Sequence, residues 1–168
     1  DKRRFGDILD RIDRSGSRNI QIREPRRDQD VLGDLDGKSD LVLVDAPCTG
    51  SGTWRRNPDA KWRVRPGALA ERIKDQAEVL ARAARLVKPG GRIAYITCSV
   101  LPEENDEAIR ACLGKHPGFS IVTPIDVLRG AESDFSLLAR FATEFGLQLS
   151  PRRSGTDGFY LACLQRGD

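Results

Sequence analysis

The sequence contains no methionine and a single histidine, His116. Its four cysteines, Cys48, Cys98, Cys112 and Cys163, include no C-x-x-C pair. A zinc site needs clustered thiolate or imidazole ligands, so no metal is expected and free thiols are the default. No apolar run approaches the length that crosses a bilayer, and no stretch reads as a secretory signal. A cytoplasmic chain with no membrane partner is therefore expected. The missing methionine adds the expectation that the native start lies upstream and that the chain is a fragment of a longer protein.

What is present fits one folded domain: 168 residues, 39% hydrophobic and 32% charged. The net charge of +3 is unevenly spread. "KRR" opens the chain, "REPRR" follows, and then "WRRNPDAKWRVR", with Trp54 and Trp62 interleaved among the basic residues. Such runs suit a phosphate-bearing partner, although any one of them also fits a solvated face.

Periodicity places the elements. Phe5, Ile8, Leu9 and Ile12 recur at helical spacing, with Gly16 as a stop. "NIQIRE" reads as a short strand, and "LVLVDAP" as a strand buried on both faces. A long loop runs from Cys48 to about Pro66. Leu69, Ile73, Ala77, Leu80, Ala84 and Val87 then form a helical stripe that ends at "KPGG". "RIAYITCSV" is a second buried strand, "LPEENDEAIRACL" a helix, and "GFYLACLQR" a closing strand; "FSIVTP" and "DFSLLARFATEFG" suggest a strand and a short helix. Strands alternating with helices predict an α/β layer fold with a mainly parallel sheet, in which sites form at the carboxyl ends of strands.

Cys48 and Cys98 both fall at such ends. If their strands are neighbours, the two thiols face one crevice. Cys112 and Cys163 lie within elements and read as small buried hydrophobes. Taken together, "DAPCTGSG", "RRNPDAKW", "LVKPGGRIAYITCSVLPEEN" and "GTDGFYLACL" resemble the RNA (cytosine-5) methyltransferases of the Sun (Fmu) type, in the family's order and over essentially the whole chain.

The resemblance implies a Rossmann-like fold with helices on both faces and S-adenosyl-L-methionine as cofactor. It implies an RNA substrate, ribosomal or transfer RNA with ribosomal RNA favoured, and a covalent cysteine–cytosine intermediate. Carbon 5 of cytosine is a poor nucleophile, and a thiolate adding to carbon 6 makes it enamine-like. By resemblance the nucleophile is Cys98, in "TCS", and Cys48 helps to release the product. DNA cytosine methyltransferases instead attack through their proline-cysteine thiol, which leaves Cys48 as the competing nucleophile. Asp45 is assigned to the methionine part of the cofactor and to the cytosine edge. Pro47 stiffens the backbone beside the cofactor, and Gly50 and Gly52 allow close approach. Arg55, Arg56 and Lys61 are the expected RNA phosphate contacts; Trp54 or Trp62 can stack on a base, while at least one of them is expected to pack in the core.

The family's glycine-rich cofactor loop and ribose-binding acid have no counterpart here, so the resemblance implies that residues 1–168 are the C-terminal part of a single methyltransferase catalytic domain whose sheet lacks its first two strands. Asp28 and Asp30 are the two acids available for the adenine. This segment alone is expected to bind the cofactor weakly and to expose apolar sheet surface, whereas the full-length protein is expected to be monomeric. Two other readings are weighed. An inactive RNA-binding relative needs neither Cys48 nor Cys98. A cysteine hydrolase needs a histidine partner, and His116 sits in a turn beyond a helix.

Overall fold

The computed structural model describes residues 2–24, 29–129 and 136–168. It divides into two units, Asp1–Leu35 and Asp36–Asp168. In the first unit, helix α1 (Lys2–Ser15) covers the stretch of helical periodicity. Gly16 ends it at φ +65°, its amide reaching back to the Asp13 carbonyl at 3.1 Å; glycine enters that left-handed region with no Cβ clash.

The strand expected over "NIQIRE" does not form, and residues 20–24 are irregular. A strand needs a ladder partner for its backbone groups. Here the Arg23 side chain instead pairs with Asp34 and donates to the Val31 carbonyl at 2.9 Å. Asp28 lies outside the described residues, while Asp30 accepts from the Leu32 amide at 3.1 Å.

The second unit contains strands β1 (Ser39–Asp45), β2 (Val87–Thr97), β3 (Phe119–Val122), β4 (Gly146–Leu149) and β5 (Phe159–Arg166). Its helices are α2 (Ala68–Leu86), α3 (Asp106–Lys115), α4 (Pro124–Arg129) and α5 (Pro151–Ser154). Strand order is β1-β2-β5-β3, with β4 also on β5. The α/β, Rossmann-like class is the expected one, but the pairing departs from a mainly parallel sheet. Among the described residues β1 and β2 are parallel, and β5 runs antiparallel to β2, β3 and β4. Connection length accounts for two of these pairings. Parallel neighbours need a crossover of a dozen residues or so, which α2 supplies between β1 and β2, whereas the short α5 turn between β4 and β5 permits a hairpin.

The core lies on one face of this sheet. Leu80, Ala83 and Ala84 of α2 and Ile109 and Cys112 of α3 pack against Val44, Ile93, Tyr95, Tyr160 and Leu164. Each fully buried aliphatic or aromatic side chain there contributes ~1.5–3 kcal/mol. Cys112 is thus the core thiol its pattern predicts, and Cys163 is half-buried in β5. β1 is not buried on both faces: Leu41 and Leu43 are 58% and 63% exposed. It has one ladder neighbour among the described residues, and α2 covers one of its faces.

Candidate active site

The parallel register sets Asp45 beside Ile96, so β1 and β2 end level. The Ala46 amide still donates to the Ile96 carbonyl at 2.9 Å, and the two chains then diverge. Cys98 follows β2 directly, and Cys48 lies just beyond β1. Cys48 Sγ and Cys98 Sγ meet at 3.4 Å, both half-buried and free. The hydrogen bond from Cys48 lowers the Cys98 pKa to about 7, against burial and the charges of Asp45 and Glu104, which push it up. Cys48 moves the opposite way, because donating to Cys98 and burial both hold its proton. The pair therefore keeps one proton on Cys48 and presents a thiolate fraction at Cys98 near neutral pH.

A buried polar network shapes the two strand ends. Glu104 accepts from the Thr49 amide at 2.8 Å and the Thr49 hydroxyl at 2.6 Å. Gln76 Nε2 donates to the Pro47 carbonyl at 2.9 Å and to Glu104 at 3.2 Å. Ser51 and Ser99 hydroxyls share a 2.9 Å bond, and Ser51 Oγ also accepts from the Val100 amide at 3.0 Å. Asn105 accepts from Thr97 Oγ1 at 2.6 Å and donates to the Ser99 carbonyl at 3.1 Å. Gln148 of β4 donates to the same Ser99 carbonyl at 3.2 Å. Nearly every group here is satisfied, which is what makes a buried polar network rigid.

Gly52 closes the arrangement. Its amide donates to the Cys98 carbonyl at 2.9 Å, and its own carbonyl accepts from the Gly158 amide at 2.8 Å. A Cβ on Gly52 would lie 2.6 Å from Gly158 Cα, so three segments touch backbone to backbone. Gly50 adopts φ +71°, the left-handed turn that carries the chain from Thr49 into a 3-10 turn at Ser51–Thr53.

The other residues singled out in the sequence separate into two groups. Asp45 is exposed at the end of β1, and Pro47 lies in the turn with its carbonyl already taken by Gln76. Arg55 donates to the Gly155 carbonyl at 2.9 Å and Arg56 pairs with Asp157, so both tie the loop to the segment before β5. Lys61 is exposed, its ammonium 4.8 Å from the Trp62 ring. Trp62 is 80% exposed, whereas Trp54 is half-buried. Cys48 and Thr49 line a cleft of about 490 Å³ together with Arg63, Arg65 and Arg72. His116 packs edge-on against Phe119 at the end of α3.

Gln76 and Glu104 went unread in the sequence. A signal existed for Gln76, which sits between Ile73 and Leu80 at helical spacing and interrupts an apolar stripe. Glu104 lies inside "PEEN", which reads first as a helix start and only second as a site element.

Among the described residues no helix is long and apolar enough to cross a membrane, and no cluster of His, Cys, Asp and Glu could hold a metal ion. Solved structures place the fold in the Rossmann-like methyltransferase class. The crystal structure of PH0851 superposes with a TM-score of 0.77 at 36% identity, over 99% of this chain and 35% of that one. A methyltransferase homolog protein from Pyrococcus horikoshii gives 0.67 at 27% identity, over 99% and 51%.

The family model described as 16S rRNA methyltransferase RsmB/F matches residues 1–165, and the chain belongs to that family. Putative methyltransferase Rv1407 of Mycobacterium tuberculosis is 41% identical over 79% of this chain and 28% of its own length. The ribosomal RNA small subunit methyltransferase B of Thermus thermophilus is 36% identical over 83% of this chain and 32% of its own. The chain thus spans about a third or less of these curated relatives.

Proposed function

We propose that the full-length protein transfers a methyl group from S-adenosylmethionine to carbon 5 of a cytosine in RNA, with ribosomal RNA as the substrate. The observation that carries this reading is the Cys48–Cys98 pair at 3.4 Å, built on the ends of adjacent parallel strands. Family membership supports the transfer of a methyl group to ribosomal RNA.

Cys98 is the nucleophile, because it holds the thiolate fraction of the pair. Its sulfur adds to carbon 6, the C5–C6 double bond opens, and ring nitrogen 3 takes a proton. Asp45 stands at the cytosine edge, where its carboxylate favours that protonation. When bound, S-adenosylmethionine supplies an electrophilic methyl group to the enamine-like carbon 5. Asp45 fits the cofactor's methionine end as well, since no described side chain hydrogen-bonds its exposed carboxylate. Pro47 acts by shape, because its carbonyl is engaged.

Cys48 completes the turnover. Its proton is held chiefly by the bond to Cys98. Once Cys98 is bonded to carbon 6 that acceptor charge is gone, and Cys48 can ionise to solvent. The resulting thiolate takes the carbon 5 proton, the C5–C6 double bond re-forms, and Cys98 leaves as thiolate while nitrogen 3 gives up its proton. Arg55, Arg56 and Lys61 contact phosphates beside the site. The test is methyl transfer from labelled cofactor to ribosomal RNA by the full-length protein, followed by nucleoside analysis. Label in 5-methylcytosine that disappears with Cys98→Ala supports the reading; full activity in Cys98→Ala overturns it.

A further inference from the structure

Glu104 has no exposed surface, and no lysine or arginine pairs with it among the described ion pairs. A carboxylate in that position is costly unless hydrogen bonds compensate, and a buried apolar side chain would serve stability as well or better. Its hydrogen bonds all converge on one place. Both Glu104 oxygens take Thr49, through the backbone amide and the hydroxyl. Gln76, also fully buried, donates to Glu104 and to the Pro47 carbonyl with the same nitrogen. The residues on either side of Cys48 are therefore both anchored to this buried pair, and Glu104 is fixed in turn where the β2 segment leads into α3. Tyr95 Oη of β2 donates to the Glu104 carbonyl at 2.8 Å, which pins the Glu104 backbone to the strand that leads into Cys98.

We infer that Glu104, with Gln76, is a positioning residue for product release: it clamps the Cys48 turn so that the Cys48 thiol faces Cys98 and can take the carbon 5 proton as Cys98 leaves. The inference rests on the methyl-transfer reading above. Glu104 touches neither base nor cofactor and acts through Cys48. It accounts for a carboxylate that the chemistry itself does not use.

The experiment compares full-length wild type, Cys48→Ala, Glu104→Ala, Glu104→Gln and the Cys48→Ala/Glu104→Ala double variant in single turnover with RNA. Both methyl transfer and decay of the covalent protein–RNA adduct are followed. Glu104→Ala is expected to transfer methyl but to release product at least ten-fold more slowly, so that adduct accumulates as in Cys48→Ala. The double variant releases no more slowly than Cys48→Ala alone. Glu104→Gln, which keeps the shape and one acceptor for the Thr49 amide, recovers most of the release rate. A merely structural role predicts something different: a smaller active fraction and a lower Tm, with adduct decay in the active fraction unchanged.

Should Glu104→Ala fail to fold, Thr49→Val removes one of the clamping donors. It is expected to slow release a few-fold, with rescue by Thr49→Ser. Wild-type adduct decay in both Glu104→Ala and Thr49→Val, or in Thr49→Val alone when Glu104→Ala does not fold, overturns the inference and leaves the methyl-transfer reading intact. A wild-type protein that methylates no RNA overturns that reading, and the inference with it.

Discussion

Cys48 Sγ lies 3.4 Å from Cys98 Sγ, across a sequence separation of fifty residues. The contact follows from two parallel strands that end level and from turns held by buried hydrogen bonds. It makes the thiols chemically unequal, and the inequality can be measured.

Alkylation reports it first. With its pKa lowered to about 7, Cys98 is substantially ionised at neutral pH. An ordinary thiol, near 8.5, is a few per cent ionised there. Cys98 should therefore label with iodoacetamide along a curve centred near pH 7. Cys48→Ala removes the donor that lowers the pKa and leaves burial and the Asp45 and Glu104 charges, which raise it. The labelling midpoint should move upward, as followed by peptide mass spectrometry across pH. An unmoved midpoint would show that Cys48 does not donate to Cys98.

Backbone contact at Gly52 sets a second expectation. A methyl group there meets the Gly158 backbone, which cannot yield as a flexible side chain can. Gly52→Ala should cost about 3 kcal/mol by overpacking and shift the Cys98 carbonyl that Gly52 binds. Denaturant unfolding checks the first effect, and the rate of Cys98 labelling checks the second.

The basic residues should differ among themselves. Lys61 is exposed and leans on Trp62 rather than on an acid, so Lys61→Ala should leave Tm unchanged while weakening RNA binding. Each lost phosphate contact lowers the slope of log affinity against log salt by about 0.7–0.9. Arg56 also ties the loop to Asp157. Arg56→Ala should lose up to about 1 kcal/mol of stability along with affinity. Salt titrations of RNA binding, paired with melting curves, separate the two.

Burial raises the pKa of Tyr95, and burial together with the hydrogen bond to Asp106 raises that of Tyr160. The folded state then binds more protons than the unfolded state above pH about 10, so stability falls as pH rises past that point. Tyr160→Phe should flatten the decline and cost about 1 kcal/mol at neutral pH through the lost hydrogen bond. Unfolding free energies at pH 8 and above test both signs.

Much of this architecture was legible from pattern. β1, β2, β5 and α2 stand out because apolar runs and a helical stripe are local signals, and the two thiols fall where strand ends place them. The antiparallel pairing of β5 was not legible, since strand direction depends on which segments meet in space. β4 was missed because Gly146–Leu149 is four residues long and is stabilised by its partner rather than by its own composition. Within the site, Asp45, Cys48 and Cys98 could be picked out as reactive types at the carboxyl ends of strand-like runs. Glu104 and Gln76 could not, because their importance lies in what they touch: the turn on either side of a cysteine remote from both in sequence.

The central claim is that Cys98, not Cys48, bonds to the target cytosine. The most direct measurement uses ribosomal RNA carrying 5-azacytosine, whose ring nitrogen at position 5 bears no proton to remove, so the adduct persists. Full-length protein is incubated with this RNA and S-adenosylmethionine, digested, and mapped by mass spectrometry. The base is predicted on the peptide containing Cys98, with no trapping in Cys98→Ala and undiminished trapping in Cys48→Ala. A base found on Cys48 would contradict the account.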